Sequence, residues 1–212
     1  MRTKTLLLTA ALSAAGIATS MAQVYSANAV GYVNQVIPPG FSMIANPFVT
    51  PSDAMSTLAP SLPDGTSIQL FTTGVGFKTY TLDISLGGWD PSEPDLSLGG
   101  GAFINNTSGS AFTITYVGEV AQGSLSTAIP PGFSIRSSKV PQAGPITGLL
   151  NYTPDDGDAV QQFTNGVGFK TYTFDASLGG WDPSEPSLSV AESVFIFNIA
   201  GLKNWTRTFS VN

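Results

Sequence analysis

Two copies of one short loop hold the side chains with the most evident capacity for chemistry. Each copy reads Trp-Asp-Pro-Ser-Glu-Pro and supplies one aromatic ring and two carboxyl groups: Trp89, Asp90 and Glu93 in the first, and Trp181, Asp182 and Glu185 in the second. An indole ring offers a flat face to a sugar, and carboxylates accept hydrogen bonds from hydroxyl groups. One interpretation is a pair of carbohydrate-binding loops. The other is a wide turn whose tryptophan packs into the core while proline and glycine fix the chain.

The composition excludes most hydrolase mechanisms. The chain contains no histidine and no cysteine, so it cannot build a Ser-His-Asp triad, a Cys-His pair or a zinc site with the usual nitrogen and sulfur ligands. A glycosidase would need two opposed carboxyl groups roughly 5 to 9.5 Å apart, which linear order does not establish. We therefore expect a protein that is not an enzyme, with no catalytic residue and no cofactor.

An acidic stretch in the second half has the appearance of a calcium loop. Asp155-Asp156-Gly157-Asp158 clusters three carboxylates around a glycine, which is what a hard cation prefers. The first half has Pro63-Asp64-Gly65-Thr66 at the equivalent place and so keeps one of the three acids. A plain Asp-Gly turn accounts for both stretches, and we predict no metal site.

The loops belong to a long internal repeat. Phe71 to Leu98 and Phe163 to Val190 are identical at 23 of 28 positions, at a constant offset of 92 residues. The same offset relates the Ile-Pro-Pro-Gly-Phe-Ser segments that begin at Ile37 and Ile129. A whole unit has therefore been duplicated. We predict a first β module over residues 23–119 and a second over residues 120–212.

Short runs rich in Val, Ile, Thr, Phe and Tyr alternate with Gly, Pro, Asn and Asp clusters, which is typical of antiparallel β structure. The fold class predicted is all-β, with two tandem, homologous antiparallel β-sandwich or barrel modules. The predicted strands of the first module are Val30–Ile37, Phe41–Asn46, Ser67–Thr72, Phe77–Leu82, Ala102–Asn105 and Ala111–Val117. Those of the second are Leu125–Ile129, Phe133–Ser137, Ala159–Thr164, Phe169–Phe174, Val194–Phe197 and Trp205–Ser210.

Each module is also predicted to contain one short helix. In the first, Ser52 can cap a helix over Ser52–Ala59 that Pro60 ends. In the second, the segment from Pro145 to Leu150 keeps the apolar positions but forms helix less readily. At the junction we expect the last strand of the first module to run directly into the first strand of the second.

The N-terminus predicts export. Arg2 and Lys4 precede an apolar run, and small residues precede a cleavage site after Ala22, as in a secretory signal peptide. We predict a leader over residues 1–22, no membrane span after its cleavage, and a mature protein that is secreted or on the cell surface, with the periplasm as the alternative. The formal net charge of −6 argues against nucleic acid, which binds clustered Lys and Arg.

Several short motifs of the first module resemble those of a known repeat. Gly40-Phe41-Ser42-Met43-Ile44-Ala45-Asn46-Pro47, the Asp64-Gly65 turn and the Gly100–Ile104 strand are similar to the Gly-Trp-Asn-Leu-Ile-x-Asn-Pro module of exported bacterial surface proteins. The chain from Val30 onward also resembles a set of uncharacterised two-module secreted proteins of verrucomicrobial bacteria. The resemblance implies an extracellular β module and no particular activity.

The second copy departs from that pattern. Ser137-Ser138-Lys139 replaces Ala45-Asn46-Pro47, and Ala191-Glu192-Ser193 stands where the first copy has glycines. We expect a non-enzymatic structural or adhesive protein of the cell exterior. Its partner is either a second copy of itself, with Val30–Ile37 pairing head to tail beside Thr206–Val211, or an extracellular polysaccharide held by the twin tryptophan loops.

Overall fold

A computed structural model describes residues 29–211. The predicted leader, residues 1–22, and the start of the first module lie outside the described residues. Within residues 29–211 the chain forms sixteen β-strands, one α-helix and one 3-10 helix. The strands of the first half are β1 (Val30–Ile37), β2 (Gly40–Ile44), β3 (Ser67–Thr72), β4 (Gly76–Asp83), β5 (Gly88–Asp90), β6 (Ala102–Asn106) and β7 (Phe112–Glu119). Those of the second are β8 (Gly123–Ile129), β9 (Gly132–Arg136), β10 (Gly144–Pro145), β11 (Ala159–Thr164), β12 (Gly168–Asp175), β13 (Gly180–Asp182), β14 (Ser187–Leu188), β15 (Val194–Asn198) and β16 (Lys203–Phe209).

The prediction of a mostly β chain is confirmed, since the described residues form several antiparallel sheets. One five-stranded sheet has the order β2-β6-β3-β4-β5 and another has the order β9-β15-β11-β12-β13. Strand for strand, the second sheet repeats the first at the 92-residue offset. All twelve predicted strands are present, with ends that differ by up to two residues. Val120 to Gln122 separate β7 from β8, so the expected continuous strand at the junction is interrupted.

Tight hairpins set the register of both sheets. In the first, Phe71 lies opposite Phe77 and Thr72 opposite Gly76. The turn between them is closed by the Val75 amide, which donates to the Thr72 carbonyl at 3.0 Å. Gly74 and Gly76 have φ of 77° and 108°, values that a side chain disfavours. Because β11 and β12 repeat these residues, they repeat the hairpin.

Each five-stranded sheet is covered on its outer face by a two-stranded ribbon. β1 pairs with β7, and β8 pairs with β16. Side chains alternate between the two faces of a strand, so Ile114 and Tyr116 of β7 enter the core while their neighbours face solvent. They meet Ile68 and Ile104 of the sheet in one buried cluster. The second half has its own cluster around Val160, Ile196 and Trp205.

The prediction of a helix in each module is wrong for the second copy. In the first half α1 (Met55–Leu58) is a single turn with Met55 and Leu58 buried. In the second half residues 146–150 form hydrogen-bonded turns, in which the amides of Leu149 and Leu150 both donate to the Pro145 carbonyl at 3.0 Å. Gly148, which disfavours helix, lies in the middle of this segment.

The two halves pack through the inner faces of their five-stranded sheets. The Ala45 amide donates to the Ala191 carbonyl at 2.8 Å, and the Ser137 amide donates to the Gly99 carbonyl at 3.1 Å. These two bonds are equivalent under the 92-residue offset, which makes the contact approximately twofold symmetric. Side chains from both halves, including Phe103 and Phe195, form a third buried cluster at this contact.

Candidate functional site

The indole rings of both tryptophan loops turn toward the protein. Trp89 in β5 and Trp181 in β13 pair with Leu82 and Phe174 of the preceding strands. Both rings are half-buried and pack against the first and second cores respectively. The Trp181 Nε1 donates to the Thr147 hydroxyl at 2.9 Å. These contacts favour a role in holding the loops to the cores.

The glutamates of the two loops accept hydrogen bonds from the backbone. Glu93 Oε1 accepts from the Ser56 amide at 2.6 Å, at the start of α1. Glu185 Oε1 accepts from the amides of Thr147 and Gly148 at 2.7 and 2.8 Å. Each loop is therefore tied to the segment after Pro51 or Pro145. The loop aspartates, Asp90 and Asp182, are exposed to solvent. Across the described part of the chain, no three acidic side chains converge as metal ligands would.

The acidic stretch of the second half forms an internal ion pair. Asp158 is fully buried and accepts hydrogen bonds from the Tyr152 hydroxyl at 2.9 Å and from the amides of Asp155 and Ile199. The ammonium group of Lys203 contacts the carboxylates of both Asp158 and Asp155. Burial by itself raises the pKa of Asp158, but the bonds from Lys203, the two amides and Tyr152 outweigh it and hold that pKa below its usual value. Through its contacts with Tyr152 and Lys203, the carboxylate of Asp158 thus connects the second core to strand β16 of the β8–β16 ribbon.

A pocket of about 440 Å³ opens on the contact between the two halves. Five residues of the first half line it: Phe41, Gln69, Phe71, Phe77 and Phe103. The remaining five lining residues are their equivalents, 92 positions later in the chain. The pocket therefore lies across the approximate twofold axis and consists of eight phenylalanine rings and two glutamine amides.

Side chains alternate between the two faces of a β-strand, and this alternation determines which residues of each sheet face the pocket. On β3, Ile68 and Leu70 contact the first core, so Gln69 and Phe71 point to the opposite, inner face. Phe77 lies directly across from Phe71, and their ring centroids are 5.0 Å apart in an edge-to-face arrangement. Phe71 also meets Phe195 of the other half at 5.1 Å. The rings of both sheets form one continuous aromatic network.

Hairpin tips from each half hold the rim of the pocket. The Thr73 hydroxyl donates to the Phe133 carbonyl at 2.7 Å, and the Asn165 side-chain amide donates to the Pro39 carbonyl at 2.6 Å. Thr73 and Asn165 occupy equivalent positions in the repeat. The hairpin tip of each half is therefore hydrogen-bonded to the other half beside the pocket.

Sequence reasoning about the site concentrated on the tryptophan loops and did not identify this pocket. The sequence does contain a signal for the pocket, because Phe71 and Phe77 recur unchanged as Phe163 and Phe169. In each hairpin the two phenylalanines lie directly opposite each other, which puts both rings on one face of the sheet. The pairing of the two inner faces is a tertiary contact, however, and no local pattern encodes it.

The ribbon strands β1 and β16 also have features of an interaction surface. In the described residues each belongs to a two-stranded sheet and pairs along one edge. The outward side of the β1–β7 ribbon carries four exposed apolar side chains: Val30, Tyr32, Val36 and Val117. The outward side of β16 carries Asn204, Thr206 and Thr208 instead.

No family model, curated protein or solved structure matches this chain. The helices of residues 29–211 include none with the length and apolar character needed to cross a bilayer.

Proposed function

We propose that the chain is a secreted, non-enzymatic structural or adhesive protein of the bacterial cell exterior that assembles head to tail. It comprises a cleaved leader and two homologous β-sandwich modules, over residues 23–119 and 120–212. The resemblance to exported bacterial surface modules supports this function, as does a chain without histidine or cysteine. In each proposed module a five-stranded sheet and a two-stranded ribbon enclose one core.

The observation that carries the proposal is the edge of β1 that faces away from β7, which pairs with no other strand of residues 29–211 and is called the open edge below. The Glu119 amide and carbonyl exchange hydrogen bonds with Val49 on the far side of β7, so they are not available to Val30, which lies opposite Glu119. Bonded and non-bonded pairs alternate along an antiparallel ladder. The backbone groups of Val30, Tyr32, Asn34 and Val36 therefore point to the open edge.

The composition of β1 leaves this edge unprotected. Natural proteins usually block open edges with charged residues, prolines or bulges, or keep the edge strand short. β1 runs for eight residues, VGYVNQVI, without a charge or a proline. The outer strands of the five-stranded sheets that carry the tryptophans, β5 and β13, have three residues each. The long uncharged edge of β1 is thus the better template for a second chain.

The complementary edge is β16, at the other end of the chain. Both strands alternate between exposed and buried positions with the same period, so pairing of β1 with a neighbour's β16 keeps each inward face on its own core. The two edges differ in sequence, and the contact is therefore heterologous. Heterologous contacts that do not close into a ring produce open fibres.

A proline at Asn34 tests this edge without breaking the internal ladder. Asn34→Pro removes an amide that points to the open edge, and a proline is tolerated at such a position. Asn34→Ala is the matched control, because both variants lose the 2.7 Å hydrogen bond from the Thr115 hydroxyl and only the proline loses the backbone donor. Assembly of the mature chain is followed by sedimentation velocity and negative-stain electron microscopy over a concentration series.

We expect linear assemblies for the wild type and Asn34→Ala, and monomers for Asn34→Pro with an unchanged circular dichroism spectrum. Assembly of Asn34→Pro at the wild-type concentration would show that another surface makes the contact. A wild type that stays monomeric at every concentration would refute head-to-tail assembly itself.

The alternative function is binding of an extracellular polysaccharide by the tryptophan loops. The exposed carboxylates of Asp90 and Asp182 are the observation that favours it, since they are free to accept hydrogen bonds from sugar hydroxyls. Polysaccharide pull-down with the Asp90→Asn/Asp182→Asn double variant tests it. Retention that drops at least tenfold in this variant supports the alternative, and retention equal to wild type, or none in either protein, counts against it.

A further inference from the structure

We propose that the phenylalanine pocket between the two halves binds one neutral, aromatic small molecule per chain. The site is distinct from the ribbon edges proposed for assembly and does not depend on them. It combines the volume of an ordinary ligand site, about 440 Å³, with an apolar lining and two polar side chains at equivalent positions, which is the usual composition of small-molecule pockets.

The rings form a floor and a rim. Phe103 and Phe195 are 6% and 7% exposed and lie at the bottom, whereas Phe77 and Phe169 are 50% and 49% exposed at the opening. Exposure of several neighbouring phenylalanine rings to water is unfavourable, because each Å² of apolar surface in contact with water costs about 25 cal/mol of free energy. A ligand that covers the rim would remove that cost.

The size of the exposed surface favours a small molecule over a protein. Four rim rings are between 37% and 50% exposed: Phe41, Phe77, Phe133 and Phe169. At about 200 Å² for each ring they present roughly 350 Å² in all. A stable protein interface needs about 800 Å² on each partner. The exposed area therefore matches a compact ligand better than a protein partner.

The lining also indicates the ligand's charge and ring character. No Lys, Arg, Asp or Glu is among the residues that line the pocket, so an ionised ligand would lose hydration without gaining a partner. Edge-to-face contacts dominate the existing network, for example Phe103 with Phe163 at 5.1 Å and 86°, and an aromatic ligand extends them. Gln69 and Gln161 offer amide groups to one or two polar atoms of the ligand.

A matched pair of probes tests the proposal on the intact mature chain. N-phenyl-1-naphthylamine is neutral, and 8-anilinonaphthalene-1-sulfonate has the same two ring systems with an added sulfonate. We expect saturable binding of the neutral probe, one per chain, with a Kd of roughly 1 to 100 µM, and binding of the sulfonate at least tenfold weaker. Equal binding of the two probes, absence of saturation, or a stoichiometry of two would overturn the proposal.

Variants at equivalent positions locate the bound probe. Phe77→Ala/Phe169→Ala removes the two most exposed rim rings and should weaken neutral-probe binding at least tenfold. Val75→Ala/Val167→Ala is the control, because these valines are more exposed, at 85% each, and lie at the tips of the same hairpins outside the pocket lining. Its affinity should equal that of the wild type. Equal losses in the two double variants would show that the probe binds generic apolar surface and would refute the assignment.

A filling variant covers the case in which loss of the rim rings unfolds the chain. Gln69→Trp places an indole in the pocket volume, and we expect it to abolish neutral-probe binding without lowering the melting temperature. Sedimentation velocity with and without probe completes the test. An unchanged monomer–assembly distribution is expected, whereas probe release on dimerisation would show that a second copy is the true occupant.

Discussion

Replacing Phe195 with alanine measures how strongly the two halves hold each other. The ring of Phe195 is 7% exposed and contacts Phe71 of the other half at 5.1 Å and Phe77 at 6.1 Å. Truncation of a buried phenylalanine costs about 3 to 5 kcal/mol in transfer and cavity terms. For a chain of this size that loss lowers the melting temperature by about 10 °C.

The repeat supplies an internal check on that number. Phe103 is the equivalent residue, is 6% exposed and meets Phe163 of the opposite half at 5.1 Å. Because the two rings have equivalent surroundings, Phe103→Ala and Phe195→Ala should lose the same free energy of unfolding within about 1 kcal/mol. Urea titration followed by circular dichroism gives both values, and exposed Val75→Ala should change stability by less than about 0.5 kcal/mol.

Two results would refute this reasoning. A loss below about 1 kcal/mol in both variants would mean that the inner faces do not pack against each other in solution. A loss confined to one variant would mean that the contact lacks the approximate twofold symmetry. A single cooperative transition is expected for the wild type, because neither half buries its inner aromatic rings alone.

Two further predictions concern buried polar groups. Asn106 and Asn198 are buried at equivalent positions and donate to the carbonyls of Ile37 and Ile129 at 3.0 and 3.1 Å. Alanine at either position should lower the free energy of unfolding, measured by urea titration, by about 1 to 3 kcal/mol. A loss below about 0.5 kcal/mol would contradict their role in connecting the ribbon to the sheet. Asp158 has a folded-state pKa below its unfolded value, so its contribution is present above about pH 4 and is lost as the pH falls through the folded pKa. Asp158→Asn should therefore lower the free energy of unfolding by about 3 kcal/mol at pH 7, and the stability of the variant should fall less steeply than that of the wild type as the pH drops below about 4. An equally steep fall in both proteins would show that protonation of Asp158 does not contribute to acid destabilisation.

The strands could be predicted because their information is local. Alternating apolar and polar residues, interrupted by Gly and Pro clusters, placed β1, β3 and β11 with the bounds that the structure has. The three-residue strands β5 and β13 were missed, since each arises only through pairing with the preceding strand. The prediction of a second helix was wrong for a local reason, because Gly148 interrupts the apolar pattern of that segment.

The site was less accessible to sequence reasoning. The direction in which Trp89 and Trp181 face depends on which side of each loop meets a core, and linear order does not specify it. The pocket depends on two sheets meeting face to face. The partner of each inner face, including the face of Phe71, is known only from the fold.

Amide hydrogen exchange along β1 tests head-to-tail assembly most directly. In dilute monomer the amides of Tyr32, Asn34 and Val36 point to the open edge and should exchange quickly, whereas the Val33 amide is bonded within the β1–β7 ladder. Pairing with the β16 strand of a neighbour predicts at least tenfold slower exchange of the three edge amides in concentrated samples, with Val33 unchanged. Particles that grow with concentration while the three edge amides keep their monomer exchange rates would contradict the account.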